Sequence, residues 1–299
     1  MERVSTFGLS QTMVNSSMSL QSRLAKAELQ NASGLKATTY TGLGATETAR
    51  LVTVEDTMAQ TKAWSTNAQT VLDRVEVMYN TVGDIADKMS TLRSTLTTAM
   101  SDISSGTDYA ALGSDLLDDL EGLMNTQVDG RYLFSGGRTD TAPVDVSLLT
   151  SPPSGTDTAY YQGDSNLAAL QVSGEQSITY GVTADDSGFE KALRAANMLT
   201  GLTTDEVDTA KVSAAYDLAT EALEEILATQ GTISLSSSRL ESAKARQDTA
   251  SSLLADRASA LKSVDIAEVS VNISELQNTL EASYSALGKI TGLSLVSYL

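Results

Sequence analysis

Four acidic side chains crowd one short stretch: Asp115, Asp118, Asp119 and Glu121. Carboxylates spaced this closely can exchange protons or hold a hard cation. Leu112, Leu116, Leu120 and Leu123 interleave with them, which puts most of the acids on the solvated side of an amphipathic helix. Asp185-Asp186-Ser187-Gly188 lacks the ligand spacing of a calcium loop. Gly42-Leu43-Gly44 is not followed by the Lys-Ser/Thr of a phosphate loop, and no buried strand precedes it, so it reads as a linker between helices. Trp64, the single tryptophan, sits beside Ser65 in an apolar stripe, where packing is a better use for it than stacking on a ligand. The chain has no Cys and no His, which removes thiolate and imidazole catalysis, Ser-His-Asp triads and ordinary zinc sites. No catalytic residue, cofactor site or metal site is expected. What remains is the chemistry of surfaces.

The 299 residues carry 38 acidic and 20 basic side chains, a net charge of −18. Phosphates would repel such a chain, so neither nucleic acid nor an anionic membrane surface is an expected partner. No stretch approaches the roughly 20 apolar residues that cross a bilayer. Met1 to Gly8 lacks the apolar core and cleavage site of a secretory signal, so any export is expected to proceed without one.

The elements that position these surfaces follow from where helix breakers fall. All three prolines, Pro143, Pro152 and Pro153, lie in one central segment, and Gly130, Gly136, Gly137, Gly155, Gly163, Gly174, Gly181 and Gly188 cluster around them. Two long proline-free arms therefore flank an irregular centre. The first arm opens with a thin stripe at Met13, Leu20, Leu24 and Ala27, breaks around Gly34 and Gly42 to Gly44, and restarts near Thr46-Glu47. Leu51, Val54, Met58, Thr61, Ser65, Ala68, Val71, Val75, Met78, Val82, Ile85, Met89, Leu92, Leu96, Ala99 and Ile103 then follow at steps of three and four. That pattern predicts a rod roughly 80 Å long, closed by Gly106. A shorter helix is expected over Tyr109 to Val128. In the centre, Leu167 to Ser173 and Ser177 to Thr183 alternate as strands joined by a turn at Ser173 to Gln176. The second arm resumes at Phe189 and runs helical from beyond Asp205, with a drift in phase near Gly231.

The last stripe has almost no partner within one chain. Ile266, Val269, Ile273, Leu276, Leu280, Ser283, Leu287 and Ile290 form a coiled-coil seam. The unused partner of similar length is the N-terminal segment. Residues 1–36 carry net +2 and residues 264–299 net −3, which favours that pairing modestly. Two thin helices cannot cover both sides of such a stripe. Met13, Leu20, Leu24, Ile266, Val269, Ile273, Leu276, Leu280, Leu287 and Ile290 are therefore the candidates for contact between subunits.

These residues resemble the flagellin superfamily over nearly the whole chain. Leu276-Gln277, Leu280-Glu281-Ala282-Ser283-Tyr284 and Gly292 to Leu299 are similar to the ending of its members. Asp129-Gly130-Arg131-Tyr132-Leu133-Phe134-Ser135-Gly136-Gly137-Arg138-Thr139-Asp140-Thr141, with Pro143 after it, looks like the signature of the hook-associated protein 3 branch. Tyr161-Gln162-Gly163-Asp164 is a second mark of that branch. Gly34 to Tyr40 departs from it, lacking the usual charged, Pro-containing loop. The resemblance implies a structural adaptor joining hook and filament of the bacterial flagellum, assembled as a homo-oligomeric ring between hook-associated protein 1 and flagellin. It also implies an extracellular location, export unfolded through the flagellar type III apparatus, and an export chaperone. A short flagellin forming the filament itself is the alternative. A secreted binding protein using the central segment is a further one.

The expected fold is mainly α: a long antiparallel helical rod or coiled coil built from both chain ends, with a small β-rich central insertion. Residues 1–45 and 264–299 are read as the polymerisation region, 46–134 and 189–263 as the rod, and 135–188 as an outer insertion. That insertion is expected to fold on its own strands and to contribute little to the rod.

Overall fold

A computed structural model of the chain describes residues 2–101, 108–153, 155–202 and 208–292, the side chains of 2–7 and 290–292 excepted. Ile103, Gly106 and the segment after Gly292 fall outside it. The elements run α1 (Glu2–Ser33), α2 (Tyr40–Leu43), α3 (Ala45–Ser101), α4 (Tyr109–Met124), β1 (Gln127–Val128), β2 (Arg131–Tyr132), a 3-10 turn (Val146–Leu148), β3 (Ala168–Gln171), β4 (Ser177–Tyr180), α5 (Ser187–Thr200), α6 (Thr209–Lys262) and α7 (Ile266–Gly292). The fold is mainly α with a small β-rich middle, as expected. Two compact units divide it: Met1–Gln60 with Ala250–Leu299, and Thr61–Thr249. The helices α3 and α6 each contribute residues to both.

In the second unit, α3 buries Ala68, Val71, Val75, Met78, Val82, Ile85, Met89, Leu92, Leu96 and Ala99. Their spacing of three and four is what one face of a helix supplies to a neighbour. The neighbour is α6, which runs antiparallel to it and brings Ile226, Ile233, Leu240 and Ala243 to the same core. Polar side chains fix the register. Ser65 bonds to Asp248, and the Gln230 amide donates to the Tyr79 carbonyl at 3.2 Å. At Gly231 the helix α6 continues without a break, and a β-carbon there would meet nothing within 4 Å.

The helices α4 and α5 pack against each other. Each begins with an Asp cap: Asp108 accepts from the Ala111 amide at 3.0 Å, and Asp186 from the Gly188 amide at 3.1 Å. Gly113 allows the close approach, because a β-carbon there would lie 2.7 Å from the Ala196 carbonyl oxygen.

Two sequence expectations need correcting here. The helix α4 stops at Met124 rather than reaching Val128. The Asn125 side chain leaves the helical path to bond both ways with Val144, at 2.9 and 3.0 Å. A two-residue hairpin then pairs Val128 with Arg131, turning on Asp129 (φ 54°) and Gly130 (φ 73°). Residues 135–188 also keep no separate core. The pair β3–β4 is antiparallel, as the two alternating segments suggested, with Leu170 opposite Ile178. Yet Tyr160, Val172, Ile178, Val182 and Ala184 join the same buried cluster as the helices. Two four-residue strands are too short to bury their own faces, so they use the helices instead.

In the first unit, α1 and α7 pack together around Ala27, Val269 and Leu276, with Leu20, Leu24, Val264 and Ile273 against them. Backbone bonds tie the two breaks in the helices. Leu35 bridges Ser263, the Lys36 amide donates to the Lys262 carbonyl at 2.7 Å, and the Val264 amide donates to the Gly34 carbonyl at 3.0 Å.

Candidate subunit interface and signature loop

The candidate contact residues of the termini all lie on α1 and α7. Val269 and Leu276 are buried against α1. Met13, Leu20, Leu24, Ile273, Leu280 and Leu287 are half-buried, and Ile266 is 56% exposed. Ile290 lies in α7, with its side chain outside the described residues. The pair thus covers one line of the seam and leaves its flanks open to water. Leu9, Met18, Leu29 and Val271 add exposed apolar surface on the same two helices. Single exposed apolar residues are ordinary, but a run of them along paired helices marks a surface that another chain can cover.

At the joint of this unit the Glu55 carboxylate is shared. Lys262 donates to one oxygen, and the Tyr40 hydroxyl donates to the other at 2.9 Å. The Lys262 bond, then the Tyr40 bond, holds the Glu55 carboxyl below its ordinary range. Lys262 and Tyr40 are both raised, each chiefly by its bond to Glu55. This cluster was not legible beforehand. Its members lie far apart in sequence, and only the pairing of α3 with α6 brings Glu55 to Lys262.

The signature residues do a different job. Arg131 is exposed and Tyr132 half-buried at the hairpin. Leu133 is 7% exposed, and Phe134 is fully buried edge-on to Phe189 of α5, with ring centres 6.0 Å apart. The Ala184 amide donates to the Phe134 carbonyl at 2.9 Å, while the Tyr160 hydroxyl donates to the Ala184 carbonyl at 2.8 Å. Gly136 (φ 67°) and Gly137 wrap around Asp164. A β-carbon on Gly136 would stand 2.0 Å from the Asp164 carbonyl oxygen. The Asp164 carboxylate accepts from the Gly137 amide at 2.8 Å and from the Asn166 amide at 2.9 Å. Those two bonds, Gly137 first, depress its pKa. The Tyr161 hydroxyl donates to the Asp164 carbonyl at 2.6 Å, and burial raises that tyrosine above its usual range. Arg138 donates to the Gln162 carbonyl at 3.0 Å.

The two marks noted in the sequence, Arg131 to Gly137 and Tyr161 to Asp164, are therefore the two halves of one clasp. The Gly137 and Asn166 amides, the Tyr161 hydroxyl and the Arg138 guanidinium all find acceptors here, and the Phe134 and Tyr161 rings pack on the core. It orders the strand-rich segment against α5. It offers no open site. Among the described residues no cluster of three or more acidic side chains could hold a metal ion.

Comparison with known proteins gives a consistent picture. Residues 216–299 match the family model of the bacterial flagellin C-terminal helical region. No curated protein matches the chain by sequence. A Vibrio parahaemolyticus structure assigned as a flagellar hook-associated protein is similar over 71% of this chain and 95% of its own, at 14% identity and a TM-score of 0.58. Bacillus cereus FlgL is similar over 72% of this chain and 98% of its own, at 14% identity and a TM-score of 0.50. Flagellar hook-associated protein-3 from Legionella pneumophila aligns over 76% and 98%, at 13% identity and a TM-score of 0.47. The first two share this fold. The C-terminal helical part of the chain is thus similar to that of bacterial flagellins.

Proposed function

We propose that the chain is a structural subunit of the bacterial flagellum that joins hook to filament, lying outside the cell. The observation that carries this reading is the pair of α1 and α7, whose apolar seam is half covered within one chain. Neighbouring copies would cover the rest and close a ring. Hook-associated protein 1 on one side and flagellin on the other are the partners that the resemblance suggests, with an export chaperone before assembly. The hydrogen-bonded clasp around Asp164 and the absence of Cys and His support a structural role rather than a catalytic one.

The match to the flagellin C-terminal region favours a second reading, a short flagellin that builds the filament. Immunolabelling of purified flagella separates the two. A discrete band at the hook–filament boundary is the expected result. Label along the filament would replace the first reading with the second, and no label on flagella would overturn both.

A further inference from the structure

A shallow groove of about 650 Å3 lies between α3 and α6 in the first unit. Thr53, Val54, Ala260 and Leu261 line it together with Arg50 and Arg257. Both arginines are exposed, and neither forms an ion pair among the described residues. Cations are scarce in a chain of net charge −18, and most copies of such a chain repel one another. Two unpaired guanidinium groups in a groove with apolar lining are thus a place where an acidic, apolar ridge gains attraction and burial together.

The chain carries such a ridge. On α7, Val269 and Leu276 face α1, and a strip further round the helix is open to solvent beside Gln30 and Lys36. There Val271 is 60% exposed, between Glu268 and Glu275. Steps of three and four put these three residues on one line of the helix, with the two carboxylates about 10 Å apart along the axis. The other side of α7 stays bound to α1, so the ridge can be used without undoing that pair.

We infer that the Arg50/Arg257 groove of one copy receives the Glu268–Val271–Glu275 ridge of a second copy. The two surfaces differ, so the contact is heterologous and propagates from copy to copy. This rests on the self-assembly proposed above and names the residues that would meet.

Because the chain has no Cys, introduced thiols are the sole reactive ones. Full-length Thr53→Cys and a size-tagged full-length Val271→Cys are mixed and mildly oxidised. The mixed disulfide dimer is expected to exceed either self-dimer by about tenfold. Adding Arg50→Glu and Arg257→Glu to the first chain should cut its yield about tenfold, with helical signal unchanged. Adding Glu268→Lys and Glu275→Lys to the second chain as well should restore it, because the charges are then exchanged. Equal mixed and self-dimers, insensitivity to charge reversal, or failure of the exchanged pair to recover would each overturn the inference. Crosslinking in this pattern by a protein that labels no part of the flagellum would leave the contact standing and remove the flagellar role instead.

Discussion

The two units use the same sequence pattern to opposite ends. In Thr61–Thr249, residues at steps of three and four on α3 are almost wholly withdrawn from water, with Val75, Val82, Ile85, Met89 and Leu96 at 0% exposure. In the unit made from the chain ends, the same steps on α7 yield two buried residues, Val269 and Leu276, and a row of half-buried ones. Periodicity says which side of a helix is apolar. How many neighbours cover that side depends on the fold, and α3 has α6, α4, α5 and the strand segment while α7 has α1.

The sharpest break of this contrast is a buried charge placed in each region. Ile85→Asp should destabilise the second unit by about 4 kcal/mol or more, because a fully buried carboxylate there has no partner. Leu280→Asp should cost the isolated chain on the order of 1 kcal/mol, since water already reaches that position, yet it should block assembly. Thermal melts and assembly of both variants measure this. Equal losses of monomer stability would erase the difference between the regions.

Removing the strand segment ranks next. Replacing residues 135–188 by a short Gly/Ser linker takes Tyr160, Val172, Ile178 and Val182 out of the shared core. The second unit should lose several kcal/mol and α5 its hydrogen-exchange protection, whereas the α1–α7 pair should keep its own. Unchanged protection of α5 would return the segment to the status of an independent outgrowth.

Two glycines give effects of opposite sign. Gly136→Ala meets the Asp164 carbonyl at 2.0 Å in a left-handed conformation, and should cost about 2–3 kcal/mol. Gly231→Ala in the exposed face of α6 meets nothing, and should stabilise by about 0.5–1 kcal/mol. Denaturant midpoints of the two variants test it. A stabilising Gly136→Ala would mean the clasp is loose.

The smallest effect is acid titration of the clasp. Backbone bonds depress the Asp164 pKa, so its contribution to stability is present above the ordinary aspartate value, about 3.9, and fades as pH falls through the lower folded value. Exchange protection of the Gly137 and Asn166 amides should fall over that acidic interval in the full chain. Asp164→Asn should flatten the response. An identical fall in the variant would assign it to another group.

Much of this was legible because helices announce themselves locally. The start of α3, the break at Gly34 to Gly44 and the existence of the β3–β4 pair follow from period and breakers alone, whereas its register is one residue off the four-residue turn read at Ser173 to Gln176. The hairpin after α4 was legible too: Asp129-Gly130 between Val128 and Arg131 is a strong two-residue turn signal, and extending α4 to Val128 left no room for the strand before it. Asn125 was harder, because its partner Val144 lies beyond the turn and an Asn inside a helical pattern costs little by itself. The sharing of one core between strands and helices could not be read at all. Alternation shows that Val172 and Ile178 point to a common side, but not what stands there. The residues singled out as a family mark proved to be fastening, while the candidate contact residues remain proposals that rest on partial coverage.

Gln21 and Tyr284, 263 positions apart, bond across the α1–α7 pair, and Ala27 packs with Val269 and Leu276. Such a pair has no local route to formation. A ribosome must release α7 before α1 has anything to bind, and closing a loop of that length slows the final step further. The second unit, whose residues end at Thr249, can complete its core earlier. Synthesis therefore runs through an interval in which the N-terminal helix is finished but unmated, an exposed apolar strip awaiting its counterpart. During that interval the nascent chain is most open to capture by another protein, and most prone to mispairing with a second chain in the same state.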